Sequence, residues 1–169
     1  TNFPQLTYFV IEGQAAPLQI EQNGSQHRGI VSDLVFLLTD SLGISVNVVS
    51  LPFKRMVSEM KKPEARNWLA YGSPAWQSNS KVSVQSDCLF SDPILQVTHS
   101  LVTRVDDEFT LDSVQDLFGQ RLITLHGFDY PGLASYFEQG SIQRLNVKSL
   151  NSAFKAVAAR RGLGFVGMD

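Results

Sequence analysis

With 169 residues, the chain is long enough to bury a real core, as one domain or as two small lobes. Its 43% hydrophobic and 18% charged residues are those of an ordinary globular protein. A net charge of −2 with a pI of about 5.9 leaves no concentrated basic face, which argues against a nucleic-acid partner.

Residues 6–12 alternate among β-type side chains and predict a first strand. A loop follows over 13–28, with a turn at Asn23-Gly24. Ser32 and Asp33 suit a helix start, and Leu34, Leu37, Leu38 and Leu42 give its apolar spacing up to Gly43. Asp33, Asp40 and Asn47 interrupt the most apolar stretch, 29–49, so it is not a membrane span. Ile44 to Ser50 predicts a second strand. Pro52 then opens a helix through Met56, Val57 and Met60, ending near Lys61, Lys62 and Pro63. Trp68 to Gly72 is a third strand, and 73–87 is irregular and polar. Cys88 is the only cysteine, read as a small buried apolar residue that forms no internal disulfide. No secretory signal is visible at the start, which fits a processed chain.

The Asp-Pro step in Phe90-Ser91-Asp92-Pro93-Ile94 stands between two stretches with the same rhythm of strands and helices. Gln96 to Val105 is a long β-like run suited to carrying the chain across a hinge. Thr110 caps a short helix with Leu111, Val114, Leu117 and Phe118 on one face. A strand at 121–126, a helix from Pro131 to Glu138 and a short strand at Leu145 and Val147 follow. Ser149 to Arg161 predicts a helix held through Leu150, Phe154 and Val157, and Leu163 to Met168 a buried strand. Strands alternating with helices predict an α/β fold with a largely parallel sheet.

Four stretches carry a resemblance to the family 3 extracellular solute-binding proteins of ABC importers. Gly29-Ile-Val-Ser-Asp-Leu34 resembles the family's Gly-x-x-x-Asp-Leu, and Phe90-Ser91-Asp92-Pro93 its signature before the hinge. The segment 111–122 is similar to its Leu-x-Asp-Leu-x-Gly element, and Phe154 to Asp169 to its helix, Gly, strand, Asp ending. The resemblance implies a two-lobed periplasmic-binding-protein clamshell. The expected parts are lobe 1 over 1–96, a hinge crossover over 97–103 and a partial lobe 2 over 104–169, without the segment that returns to lobe 1. It further implies a periplasmic or extracellular location, a small-molecule ligand, an ABC importer membrane component as partner and no cofactor.

Ligands of open α/β sheets bind beyond the carboxyl ends of the strands, which selects the loops after each one. The candidates are Glu12 after the first strand, Gly72, Ser73 and Trp76 after the third, and Gly127, Phe128 and Asp129 after the strand at 121–126. Glycines let a ligand carboxylate approach backbone N–H groups, and aromatics supply stiff apolar walls. The family's usual Arg after the third strand is missing from Trp76-Gln-Ser-Asn-Ser-Lys81, so Lys81 or Arg55 is the candidate anion clamp. Gly127-Phe128-Asp129 replaces the family's Gly-Thr-Thr, while Asp169 matches its acidic residue that meets a ligand amine. These departures argue against a standard α-amino acid ligand and leave a cationic or aromatic-bearing solute open. Each candidate has a plain alternative: Arg55 as a surface ion pair, Asp129 as a cap for the helix near Pro131, Lys81 as a solvated side chain.

Gly162-Leu-Gly-Phe-Val-Gly167 has dinucleotide-motif spacing but follows a helix, which is the wrong context. His27, His99 and His126 are scattered without metal-ligand spacing, and no nucleophile pairs with a base. The leading expectation is a non-enzymatic solute binder. The alternatives are a sensor input domain and, on the same fold, a dehydratase-like enzyme using Glu12, His126, Asp129 or Asp169.

Overall fold

Tyr8, Val10 and Ile11 are at most 1% exposed, so the first strand is covered on both faces, as a central strand of a parallel sheet should be. The computed structural model describes residues 5–13, 15–22, 27–73 and 92–168, and the chain divides into two units, Thr1–Leu89 and Phe90–Asp169. Strand β1 (Leu6–Ile11) is followed by a short antiparallel pair, β2 (Ile20–Glu21) and β3 (His27–Arg28). That pair lies within the stretch expected to be all loop, and the expected Asn23-Gly24 turn falls outside the described residues.

Helix α1 (Ile30–Ser41) begins two residues before the expected Ser32 start and is turned about its axis from the expected face. Val31, Ser32, Val35 and Thr39 are buried, whereas Leu37, Leu38 and Leu42 are 68%, 51% and 61% exposed. Two contacts impose this rotation. The Ser32 hydroxyl lies 3.0 Å from the Tyr8 hydroxyl and draws a polar residue inward. Gly29, at φ 112, brings its backbone so close to the preceding loop that a Cβ would lie 2.6 Å from the Leu18 carbonyl oxygen.

Strand β4 (Val46–Leu51) pairs in parallel with β1 from Leu6↔Val46 to Ile11↔Leu51. Helix α2 (Phe53–Met60) follows Pro52 as expected and buries Phe53, Met56, Val57 and Met60, an i, i+3, i+4, i+7 stripe. Strand β5 (Trp68–Ala70) completes the sheet in the order β4-β1-β5.

In the second unit the run 96–105 forms only a four-residue strand, β6 (His99–Val102). The short helix after it is a 3-10 turn over Val114–Leu117 that buries Leu117; Leu111 and Phe118 stay exposed, so the expected apolar face does not form. Its start lies at Ser113 rather than Thr110, because the Asp116 carboxylate accepts from the Ser113 amide at 2.7 Å.

Strand β7 (Arg121–Leu125), helix α3 (Ala134–Glu138), strand β8 (Gln143–Val147), helix α4 (Leu150–Ala158) and strand β9 (Gly164–Met168) follow. The sheet order is β6-β9-β7-β8, with β7 parallel to both neighbours and β6 antiparallel to β9. Helix α4 buries Ala153, Ala156 and Val157; Phe154 is 51% exposed and lays its ring edge-on to Phe165 at 5.8 Å. Arg104 ties the exit of β6 to the end of α4 by donating to the Val157 carbonyl at 2.9 Å, and Asp107 accepts its other arm at 2.7 Å.

The glycines of the dinucleotide-like spacing serve this sheet. A Cβ on Gly162 would meet the Arg121 carbonyl oxygen at 2.7 Å, and one on Gly164 the Val102 carbonyl oxygen at 2.8 Å. They admit close strand approach, and it is helix α4 that precedes them.

Candidate functional site

In the first unit the carboxyl ends of β1, β4 and β5 gather Glu12, Arg55, Gly72 and Ser73 at one edge of the sheet. Glu12 is exposed, and its amide donates to the Leu51 carbonyl at 3.0 Å, which fixes the first loop beside the end of β4. Arg55 is exposed in the first turn of α2, and among the described residues no carboxylate pairs with it. The plain alternative of a surface ion pair therefore has no partner among those residues. Gly72 is exposed and Ser73 half-buried. Tyr71, which precedes them, is half-buried, and burial raises its phenol pKa. Trp76, Lys81 and Asp169 lie outside the described residues, as do Cys88, Phe90 and Ser91.

A buried glutamine that sequence reasoning missed sits under this first loop. Gln19 is 2% exposed and completes its side-chain hydrogen bonding internally. Its Nε2 donates to the Tyr8 hydroxyl at 2.8 Å and to the Phe9 carbonyl at 3.2 Å, and its Oε1 accepts from the Ile11 amide at 3.0 Å. Burial raises the Tyr8 pKa, so the phenol stays neutral, and its hydroxyl shares a hydrogen bond with Ser32. The only sequence signal was a polar residue between Leu18 and Ile20.

The second unit brings Gly127, Phe128 and Asp129 together in the loop after β7. Its ends are pinned: the His126 amide donates to the Val147 carbonyl at 2.8 Å, and the Leu125 amide donates to the Tyr130 hydroxyl at 3.0 Å. Phe128 is 5% exposed, so its ring is an interior anchor and not an open aromatic wall. Gly127 has φ 90 with open space where a Cβ would be. Among the described residues, the amides of Gly127 and Asp129 have no hydrogen-bond partner. Asp129 does not cap α3, whose N-cap is Leu133 with no side-chain bond, and its buried Oδ2 has no partner among the described residues.

One strand end thus offers two amide donors and a carboxylate acceptor. Such a set suits a ligand carrying both signs of charge, since backbone N–H groups receive an anion and the carboxylate a cation. His99, exposed on β6, lies with its ring 5.5 Å from Tyr130, and partial burial lowers its pKa.

Among the described residues no three His, Cys, Asp or Glu side chains gather to hold a metal, and no helix is long and apolar enough to cross a membrane.

No protein-family model matches the sequence, and no curated protein matches it. Solved structures do. An ancestral arginine-binding protein bound to arginine is 16% identical, with a TM-score of 0.73 over 99% of this chain and 71% of that one. The arginine-bound form of a truncated ArgBP from T. maritima is 16% identical, with a TM-score of 0.72 over 98% of this chain and 74% of that one. An ancestral amino acid-binding protein, a precursor of cyclohexadienyl dehydratase, is 15% identical, with a TM-score of 0.72 over 98% of this chain and 71% of that one. At this identity the likeness shows the fold: mixed α/β, of the two-lobed periplasmic-binding-protein class.

Proposed function

We propose that this protein binds a small, polar, amino-acid-like solute and delivers it to an ABC-type importer from a periplasmic or extracellular location. The observation that carries the reading is the loop after β7, where the unpartnered amides of Gly127 and Asp129 and the Asp129 carboxylate share one strand end. The fold supports it, because solved proteins that share it include ones bound to arginine and to glutamine. In this reading the lobes are 1–96 and 104–169, with the crossover at 97–103, and Glu12, Arg55, Gly72, Ser73, Trp76, Lys81 and Asp169 are the further candidates for ligand contact, each to be tested by substitution.

The test is a thermal-shift and calorimetric screen of amino acids, polyamines and small organic acids, with L-arginine first. A ligand at a hundred times its Kd adds about 2.7 kcal/mol, which raises the Tm by several degrees. No shift with any of these solutes sinks the reading.

A second reading is favoured by the dehydratase precursor among the similar structures. Turnover would require a general acid or base, for which Glu12, His126, Asp129 and Asp169 are the candidates. Product formation that disappears on replacing one of them, with binding retained, distinguishes it. A sensor input domain differs in what it is joined to, and a signalling module in the same polypeptide would identify it.

A further inference from the structure

Arg144, on β8, extends from the sheet to the loop after β7 and spends its guanidinium on it. Nη2 donates to the Phe128 carbonyl at 2.8 Å and reaches the Leu125 carbonyl at 3.5 Å, while Nε donates to the Thr124 hydroxyl at 2.8 Å. That hydroxyl passes its own proton to Asn146 Oδ1 at 2.9 Å, so the bonds run in one direction from Arg144 through Thr124 to Asn146. The guanidinium carbon lies 5.3 Å from the ring centres of both Tyr130 and Phe137. A planar cation close to two rings, with a fork of donors, has little freedom left. The bond inside the loop is long by comparison, from the Phe128 amide to the Leu125 carbonyl at 3.4 Å.

None of the Arg144 donors bonds to Asp129, whose Oδ2 has no partner among the described residues. Arg144 therefore holds the loop through its backbone, and toward the Asp129 carboxylate it acts by charge and not by a hydrogen bond. We propose that Arg144 is a positioning residue for solute recognition: by holding the Phe128 carbonyl it sets the course along which the Gly127 and Asp129 amides and the Asp129 carboxylate are presented. The proposal rests on the solute-binding reading for what the loop meets, and on the geometry alone for how the loop is held.

The experiment combines amide hydrogen exchange with L-arginine calorimetry on the whole chain, using Arg144→Lys and, as a milder second variant, Thr124→Val. Lysine keeps the charge but loses the fork. The His126, Phe128 and Leu133 amides should exchange roughly tenfold faster in Arg144→Lys, the Ile123 amide at the wild-type rate, and L-arginine should bind about tenfold more weakly, the scale of one charged hydrogen bond. Thr124→Val should shift the same amides by less.

Wild-type exchange in that loop, or acceleration shared equally by Ile123, overturns the proposal. So does local loosening with unchanged L-arginine affinity. Failure of the wild-type protein to bind L-arginine or any other screened solute overturns the solute reading instead, and the exchange data still decide whether Arg144 holds the loop.

Discussion

The side-chain amide of Gln19 donates to the Tyr8 hydroxyl at 2.8 Å, deep in the first unit, and the phenol in turn meets Ser32 at 3.0 Å. This chain joins the loop after β1, the strand itself and the first turn of α1 into one hydrogen-bonded unit. It fixes where the strand ends and which way the helix faces. Buried polar groups at this depth are costly unless every one is satisfied, so the network demands one arrangement.

Gln19→Met keeps the volume and deletes every bond. It leaves the Ile11 amide and the Phe9 carbonyl without their buried side-chain partner. The expected loss is about 2–3 kcal/mol in chemical denaturation, against about 1 kcal/mol for Tyr8→Phe, which removes only the hydroxyl. Equal losses for the two variants would show that Gln19 contributes nothing beyond its bond to Tyr8.

The rotation of α1 makes a paired prediction. Val35→Ser puts a hydroxyl into a site that is 5% exposed and should cost about 2 kcal/mol or more, while Leu37→Ser at a site 68% exposed should stay within about 0.5 kcal/mol. Urea unfolding of both variants checks it. The reverse order would restore the helix face expected from the leucine spacing.

Gly29 and Gly43 both have positive φ, 112 and 65, but differ in their surroundings. A Cβ at Gly43 meets nothing within 4 Å, so Gly43→Ala carries only the left-handed strain of about 1–2 kcal/mol. At Gly29 the Leu18 and Pro17 carbonyl oxygens stand at 2.6 and 2.7 Å, and Gly29→Ala should lower the Tm by distinctly more. Comparable melting temperatures for the two variants would contradict the close approach.

Two titrations bear on stability in acid. Partial burial lowers the His99 pKa below its ordinary 6.5, so the unfolded chain binds the proton more readily and stability falls as pH drops below that value. His99→Gln should flatten the Tm profile between about pH 5 and 7. The amides of Ser113 and Asp112 hold the Asp116 carboxyl below its ordinary 3.8, so its contribution is present above that pH and is lost as pH falls through the folded value. Asp116→Asn should flatten the profile only below about pH 4, and a change confined to neutral pH would contradict the assignment.

Order and type of most elements were legible because they follow from local pattern, the β2–β3 pair being an exception. Alternation gave β1, the stripe through Met56, Val57 and Met60 gave α2, and Ser149 capped α4, accepting from the Ser152 amide at 3.2 Å. Strand ends selected the loop at 127–129 because parallel α/β sheets expose their loops there. Other features depended on partners distant in sequence. The inward face of α1 depends on Tyr8, 24 positions from Ser32, and the hold on Phe128 comes from Arg144, 16 positions away.

The sequence by itself determined an alternating α/β chain, since hydrophobic period and turn chemistry act over a few residues. Only the tertiary structure decided that Phe128 is an interior anchor, that Asp129 keeps a buried oxygen unpartnered, and that Gln19 and Arg144 hold the two loops. A hydrogen bond across a fold is chosen by burial and by which donors remain unsatisfied, and neither exists until the strands have paired.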